Sequence, residues 1–183
     1  MEIESTGFGH ADLTGFMDQL IDHDRRALVE RLERASARLG ELGALVPDGA
    51  AVGDGGGWNP KDVLAHVAVL SKFYGVVAYR VGSGALAELD LLAIVSQRDV
   101  AGQGLAGRTA AELVAMARTE HGRTAEWLRT ATPEQLRRRC DIGGGGSLTA
   151  EELARLALVS HLEQHVAQLD SALRVRAGQS GAG

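Results

Sequence analysis

Ser160-His161-Leu162-Glu163-Gln164-His165-Val166-Ala167-Gln168-Leu169 is the stretch from which the rest of the chain can be read. On a helix, His161 and His165 lie one turn apart on the same face, with Cβ atoms about 5 to 6 Å apart. Two imidazoles so placed can grip one metal ion. A catalytic metal site takes about three protein ligands and keeps one position open, so a further ligand has to come from another element. His66 is the candidate.

Working outward, Thr149-Ala150-Glu151-Glu152 forms a capping box that opens the helix of this stretch, which carries Leu153, Leu156, Leu158, Val159, Leu162, Val166, Leu169 and Leu173. Before it, Thr132-Pro133-Glu134-Gln135 is a second capping box, opening a short basic helix that includes Arg137, Arg138 and Arg139, and Gly143 to Gly146 read as a flexible turn. Thr109-Ala110-Ala111-Glu112 is a third box. The helix it opens runs to about Thr130, with Leu113, Met116, Ala117, Trp127 and Leu128 as its core residues.

Nearer the N-terminus, Trp58-Asn59-Pro60-Lys61-Asp62 announces a helix. Asn59 can cap, Pro60 suits the first helical position and Asp62 puts negative charge in the first turn. Its apolar face carries Val63, Leu64, Val67, Leu70, Tyr74 and Val77, and His66 lies beside that face. From Asp12 to about Leu42, the spacing of Leu13, Phe16, Met17, Leu20, Leu28, Leu32, Leu39 and Leu42 predicts a long amphipathic helix whose other face is charged. Pro47 and the cluster Gly53, Gly55, Gly56 and Gly57 make the first connection, and Ala85 to about Val95 reads as a shorter helical piece inside the second, before Gly102, Gly104 and Gly107.

Four long helical patterns, no convincing alternating strand and no fixed repeat predict an all-α bundle with short extra helices in the connections. Bundles build metal sites from facing helices, which is what His66, His161 and His165 would do. At 183 residues one domain is expected, over residues 1–177, with a disordered tail over 178–183. No apolar run reaches the roughly 18 residues that span a bilayer, and the acidic Met1-Glu2-Ile3-Glu4-Ser5 is unlike a secretory signal. A cytoplasmic protein is expected. The formal net charge of −5 predicts no nucleic-acid and no membrane partner. Cys140 is the only cysteine, which excludes an intrachain disulfide and a thiolate zinc cluster.

Two segments carry a family resemblance. Trp58-Asn59-Pro60-Lys61-Asp62-Val63-Leu64-Ala65-His66-Val67 resembles the helix-two signature of the DinB-like superfamily, which includes the N-terminal domain of mycothiol-dependent maleylpyruvate isomerases, and His161-Leu162-Glu163-Gln164-His165-Val166-Ala167-Gln168-Leu169 resembles its helix-four signature. The resemblance implies an antiparallel four-helix bundle in which His66, His161 and His165 hold a divalent ion such as zinc, nickel or iron. It implies transfer or addition chemistry, with a low-molecular-weight thiol such as mycothiol or bacillithiol attacking a small electrophile or toxin, and pairing into a homodimer. The maleylpyruvate isomerase branch commonly has glutamate at the position of His161 and a further C-terminal domain, a departure that weakens the transfer of isomerase activity and leaves it behind thiol transfer and hydrolysis.

Other readings of the same residues stand beside these. His66 as a core histidine bonded to a carbonyl, and His161 as a surface residue, would leave no site. A non-catalytic metal-binding or dimerising stress-related bundle, or a hydrolase using metal-bound hydroxide, competes with the thiol transferase. Leu162 stands where a zinc protease of the His-Glu-x-x-His pattern needs its glutamate, so peptidase chemistry is not implied. Glu163, about 200° round the helix from His161, is expected at the surface. His10, His23 and His121 are also expected there, Trp58 is read as a packing anchor, and Cys140, after three arginines, is a weak nucleophile candidate.

Overall fold

The computed structural model describes residues 10–47, 59–90, 104, 105 and 107–180. The described helices are α1 (His10–Gly43), α2 (Pro60–Gly82), α3 (Ala110–Thr130), the short α4 (Pro133–Arg137), the single turn α5 (Ala150–Glu152) and α6 (His161–Ser180). Between α5 and α6 the rod continues as a π-helix, Leu153–Ser160. The expected all-α bundle is present. α3 packs against both α1 and α2 on one side, and the π segment with α6 packs against both on the other. Consecutive α1 and α2 therefore face each other across the diagonal.

The starts of these helices are set by local chemistry. Asn59, Thr109, Thr132 and Thr149 each accept from a backbone N–H at the third helical position, while the residue there returns a bond to the cap's own N–H. Arg25 of α1 closes one other end, its Nη1 donating to the carbonyls of Arg129 at 2.8 Å and Ala131 at 3.0 Å, where the C-terminal dipole of α3 favours a cation. The core between these rods is made of Leu28, Leu32 and Leu39 from α1, Val63, Leu64 and Val81 from α2, Leu113 and Leu128 from α3, and Leu153, Leu158 and Leu169 from the last rod.

Several expectations need correction. Leu13, Phe16, Met17 and Leu20 repeat at helical spacing but are 44% to 51% exposed; the described contact at this part of α1 is polar, Arg137 of α4 pairing with Asp18. Met116 and Leu156 are exposed as well. The basic helix stops at Arg137, and Arg139–Gly143 is instead a strand (β1) paired antiparallel with Gly146–Thr149 (β2). The turn between them places Gly143, Gly144 and Gly145 at φ of 80°, 62° and 78°, a conformation that side-chain-bearing residues rarely adopt. Residues 85–90 are extended rather than helical, and Asp141 exchanges 2.8 Å backbone bonds with Ala87 and Leu89. The rest of that expected helix, Trp58, the glycine cluster 53–57 and the side chain of His10 lie outside the described residues.

The seam between α2 and α3 is tight at Gly75. A Cβ there would fall 2.4 Å from Thr124 Oγ1. Threonine is short and β-branched, with no flexible far end to swing aside, so Thr124 must change rotamer or the helices must part. Gly75→Ala is therefore expected to destabilise by about 1–3 kcal/mol, although alanine favours a helix by about 1 kcal/mol over glycine. Urea unfolding of the two proteins checks this; a variant at least as stable as the native chain would show that the seam has slack. Among the described helices α2 alone is long and apolar enough to cross a membrane, and 56% of its most apolar window is buried inside the bundle.

Candidate metal centre

α2 and α6 bring His66, His161 and His165 together. The ring centroids are 5.6 Å apart for His66 and His161, 4.6 Å for His66 and His165, and 4.5 Å for His161 and His165. One nitrogen from each lies within 4.8 Å of the other two, and all three rings are half-buried. Tetrahedral coordination with bonds of about 2.0–2.1 Å needs nitrogens about 3.4 Å apart. Small side-chain rotations reach that distance. Three imidazoles suit zinc, nickel or iron, so the residues fit a divalent ion.

The surroundings prepare one ligand further. His165 Nδ1–H donates to Gln168 Oε1 at 2.9 Å, one turn along the same helix. That bond fixes the tautomer and leaves the lone pair on Nε2, the arrangement metal-ligating histidines usually have. Burial lowers the His165 pKa, partly opposed by the Gln168 bond, and a neutral ring is what an ion requires. Beside the rings lies a small cavity of about 10 Å³, walled by Val67, Leu70, Ser71, Ala157, Leu158 and Leu162. Tyr74 stands on the other flank of His161, with ring centroids 6.5 Å apart.

Glu163 turns toward α1, where Arg31 Nε and Nη2 donate to its two carboxylate oxygens at 2.9 and 2.6 Å. The Arg31 fork holds the Glu163 carboxyl below the usual carboxylate range, and Glu163 in turn raises Arg31. Arg31 was not legible as part of this region, since its partner lies 132 positions away.

His23 is exposed, as expected, but His121 is not, being 2% exposed. Its Nε2 lies 2.7 Å from Ser71 Oγ and its Nδ1 3.0 Å from Ser36 Oγ. Ser71 gives its own hydrogen to the Val67 carbonyl at 2.7 Å, so His121 Nε2–H donates to Ser71 and Nδ1 accepts from the Ser36 hydroxyl. One chain of hydrogen bonds thus ties α1, α3 and α2 through the bundle. Cys140 is fully buried, and its pKa is raised by burial, then by Asp141 and Glu88. The three preceding arginines do not activate it, which removes it as a nucleophile.

The family model of the DinB superfamily matches residues 20–169, most of the chain and every element that contributes to the three-histidine cluster. No curated protein and no solved structure matches it.

Proposed function

Starting from the fact that the chain belongs to the DinB superfamily, whose members are generally metal-associated, we propose that it is a divalent-metal-dependent enzyme acting on a small electrophilic molecule. The observation that supports this most is the convergence of three imidazole donors from two helices within 4.8 Å. His66, His161 and His165 would hold the ion, Gln168 would keep His165 in the binding tautomer, and Val67, Leu70, Leu158 and Leu162 would keep bulk water from that side. When bound, the ion would supply Lewis acidity, lowering the pKa of a coordinated thiol or water. Transfer of a low-molecular-weight thiol such as mycothiol or bacillithiol is the first reading and hydrolysis the second. The same proposal places the chain in the cytoplasm, as one domain, with a small molecule as its partner, no nucleic acid or membrane, and a homodimer as its assembly.

A non-catalytic metal-binding bundle is supported by one specific observation. The cavity against the histidines, about 10 Å³, has room for about one water molecule.

Elemental analysis of tag-free protein tests the common premise of both. About one equivalent of zinc, nickel or iron is expected in the native chain, and far less in His66→Ala and His161→Ala. Metal-loaded protein assayed with thiols and electrophiles then separates the two readings: thiol consumption that disappears in the histidine variants supports the enzyme, and loaded protein that turns over neither thiol nor ester supports the structural site. A native chain that neither carries metal nor binds added nickel or zinc would sink both.

A further inference from the structure

His161 sits at a junction. The π-helix ends at Ser160 and α6 begins at His161. Arg31 grips the rod on both sides of that residue, with Nη2 donating to Ser160 Oγ at 3.1 Å and the fork closing on Glu163. Seven residues further along each helix, Arg38 pairs with Asp170 at 2.9 Å. Equal spacing, 31 to 38 on α1 and 163 to 170 on α6, makes a two-rung ladder that sets the register of one helix against the other.

We propose that Arg31 is a positioning residue for the metal centre, holding the π-to-α junction so that His161 and His165 are turned toward His66. The proposal rests on the three-histidine reading above. A π-helix bonds i to i+5 and turns less per residue than an α-helix bonding i to i+4. If Leu153–Ser160 relaxed to α geometry, every residue after it would rotate about the rod axis, and both histidines would swing away from α2. The i, i+5 ladder is rare and mostly confined to a single turn, whereas this one runs for the eight residues Leu153–Ser160. Arg31 is placed to hold it, because it bonds the last π residue and the first turn of α6 at once, and a guanidinium fork fixes direction as well as distance. Exposed pairs of this kind add little to global stability. A metal site, in contrast, is sensitive to ligand displacements of about 0.5 Å.

Cobalt titration of the native chain, Arg31→Met and Arg31→Lys, followed by the visible absorption of bound cobalt, tests this. Arg31→Met keeps the stem and removes the fork. It is expected to lower cobalt affinity by about 10- to 100-fold, the usual effect of losing a group that orients a ligand, to change the cobalt spectrum, and to quicken amide exchange across 153–160 in the metal-free protein. Arg31→Lys, a point cation, should not restore the spectrum, whereas Arg31→Glu combined with Glu163→Arg should recover part of the affinity. Native-like affinity, spectrum and exchange in Arg31→Met would overturn the proposal and leave the histidine site standing. A native chain that binds no cobalt would bring down the site and this proposal together. If Arg31→Met does not fold, Glu163→Gln decides in the same way.

Discussion

Saturating zinc or nickel is expected to raise the thermal midpoint of the native chain by roughly 5–10 °C and to leave that of His161→Ala unmoved. A ligand that binds only the folded state at a hundredfold excess over its Kd stabilises by about 2.7 kcal/mol. For a chain of this size each kcal/mol is worth about 2–4 °C. The selectivity follows from geometry, because the site exists only where α2 meets α6 and the unfolded chain leaves His66 far from the other two. Alanine at position 161 is a good helix former and the ring it replaces is half-buried, so the variant should fold and start from a midpoint near that of the metal-free native chain. Calorimetry at several metal concentrations checks this and returns Kd from the concentration dependence. An equal rise in the native chain and in all three histidine variants would place the ion elsewhere and refute the site.

Acid is expected to destabilise the fold through His121. Burial, and secondarily the nearby Arg118, lower its pKa from 6.5 to about 4. Between these values the unfolded chain holds a proton on this ring and the folded chain does not, so proton binding favours unfolding. The stability that depends on the neutral ring is complete above pH 6.5, falls as the pH drops toward 4, and falls no further below that. The size of the effect is on the order of 3 kcal/mol, from 1.36 kcal/mol per pKa unit. His121→Ala removes the dependence and adds another loss, of about 3 kcal/mol at pH 7, since it opens a cavity and leaves the Ser36 and Ser71 hydroxyls without the partner they share. Urea unfolding of metal-free native and His121→Ala proteins from pH 7 to 4 measures both. Parallel curves for the two would show that His121 takes up its proton in the folded state, contrary to its burial.

The helix starts were legible because a capping box is local chemistry. Asn59, Thr109, Thr132 and Thr149 satisfy donors within three residues, and no distant part of the chain can change that. The three histidines were legible because helical spacing places two of them and a facing helix supplies the third. His121 carried a signal that was not used, since it continues the buried row of Leu113, Ala117, Ala125 and Leu128. The hairpin carried one too. Arg139 and Asp141 are exposed while Cys140 and Ile142 turn inward, just ahead of four glycines. Periodicity could not show that Leu13, Phe16, Met17 and Leu20 stay exposed, because a pattern says which face is apolar and not what covers it. Nor could it show the π segment, whose residues read as ordinary helix and whose ladder is set by packing against α1 and α2.

The diagonal placement of α1 and α2 bears on synthesis at the ribosome. Two rods made one after the other cannot bury their apolar faces on each other in this arrangement; each waits for α3 and then for the rod of 150–180. When translation reaches Thr149, the side of α1 at Arg31 and the side of α2 at Val67 and Leu70, which the last rod will cover, are still open to water. At about 5–20 residues per second, the remaining segment takes a few seconds to be made. The nascent chain is most exposed to proteases and to sticking in that interval, and chaperone binding should be sought on chains stalled just short of residue 150.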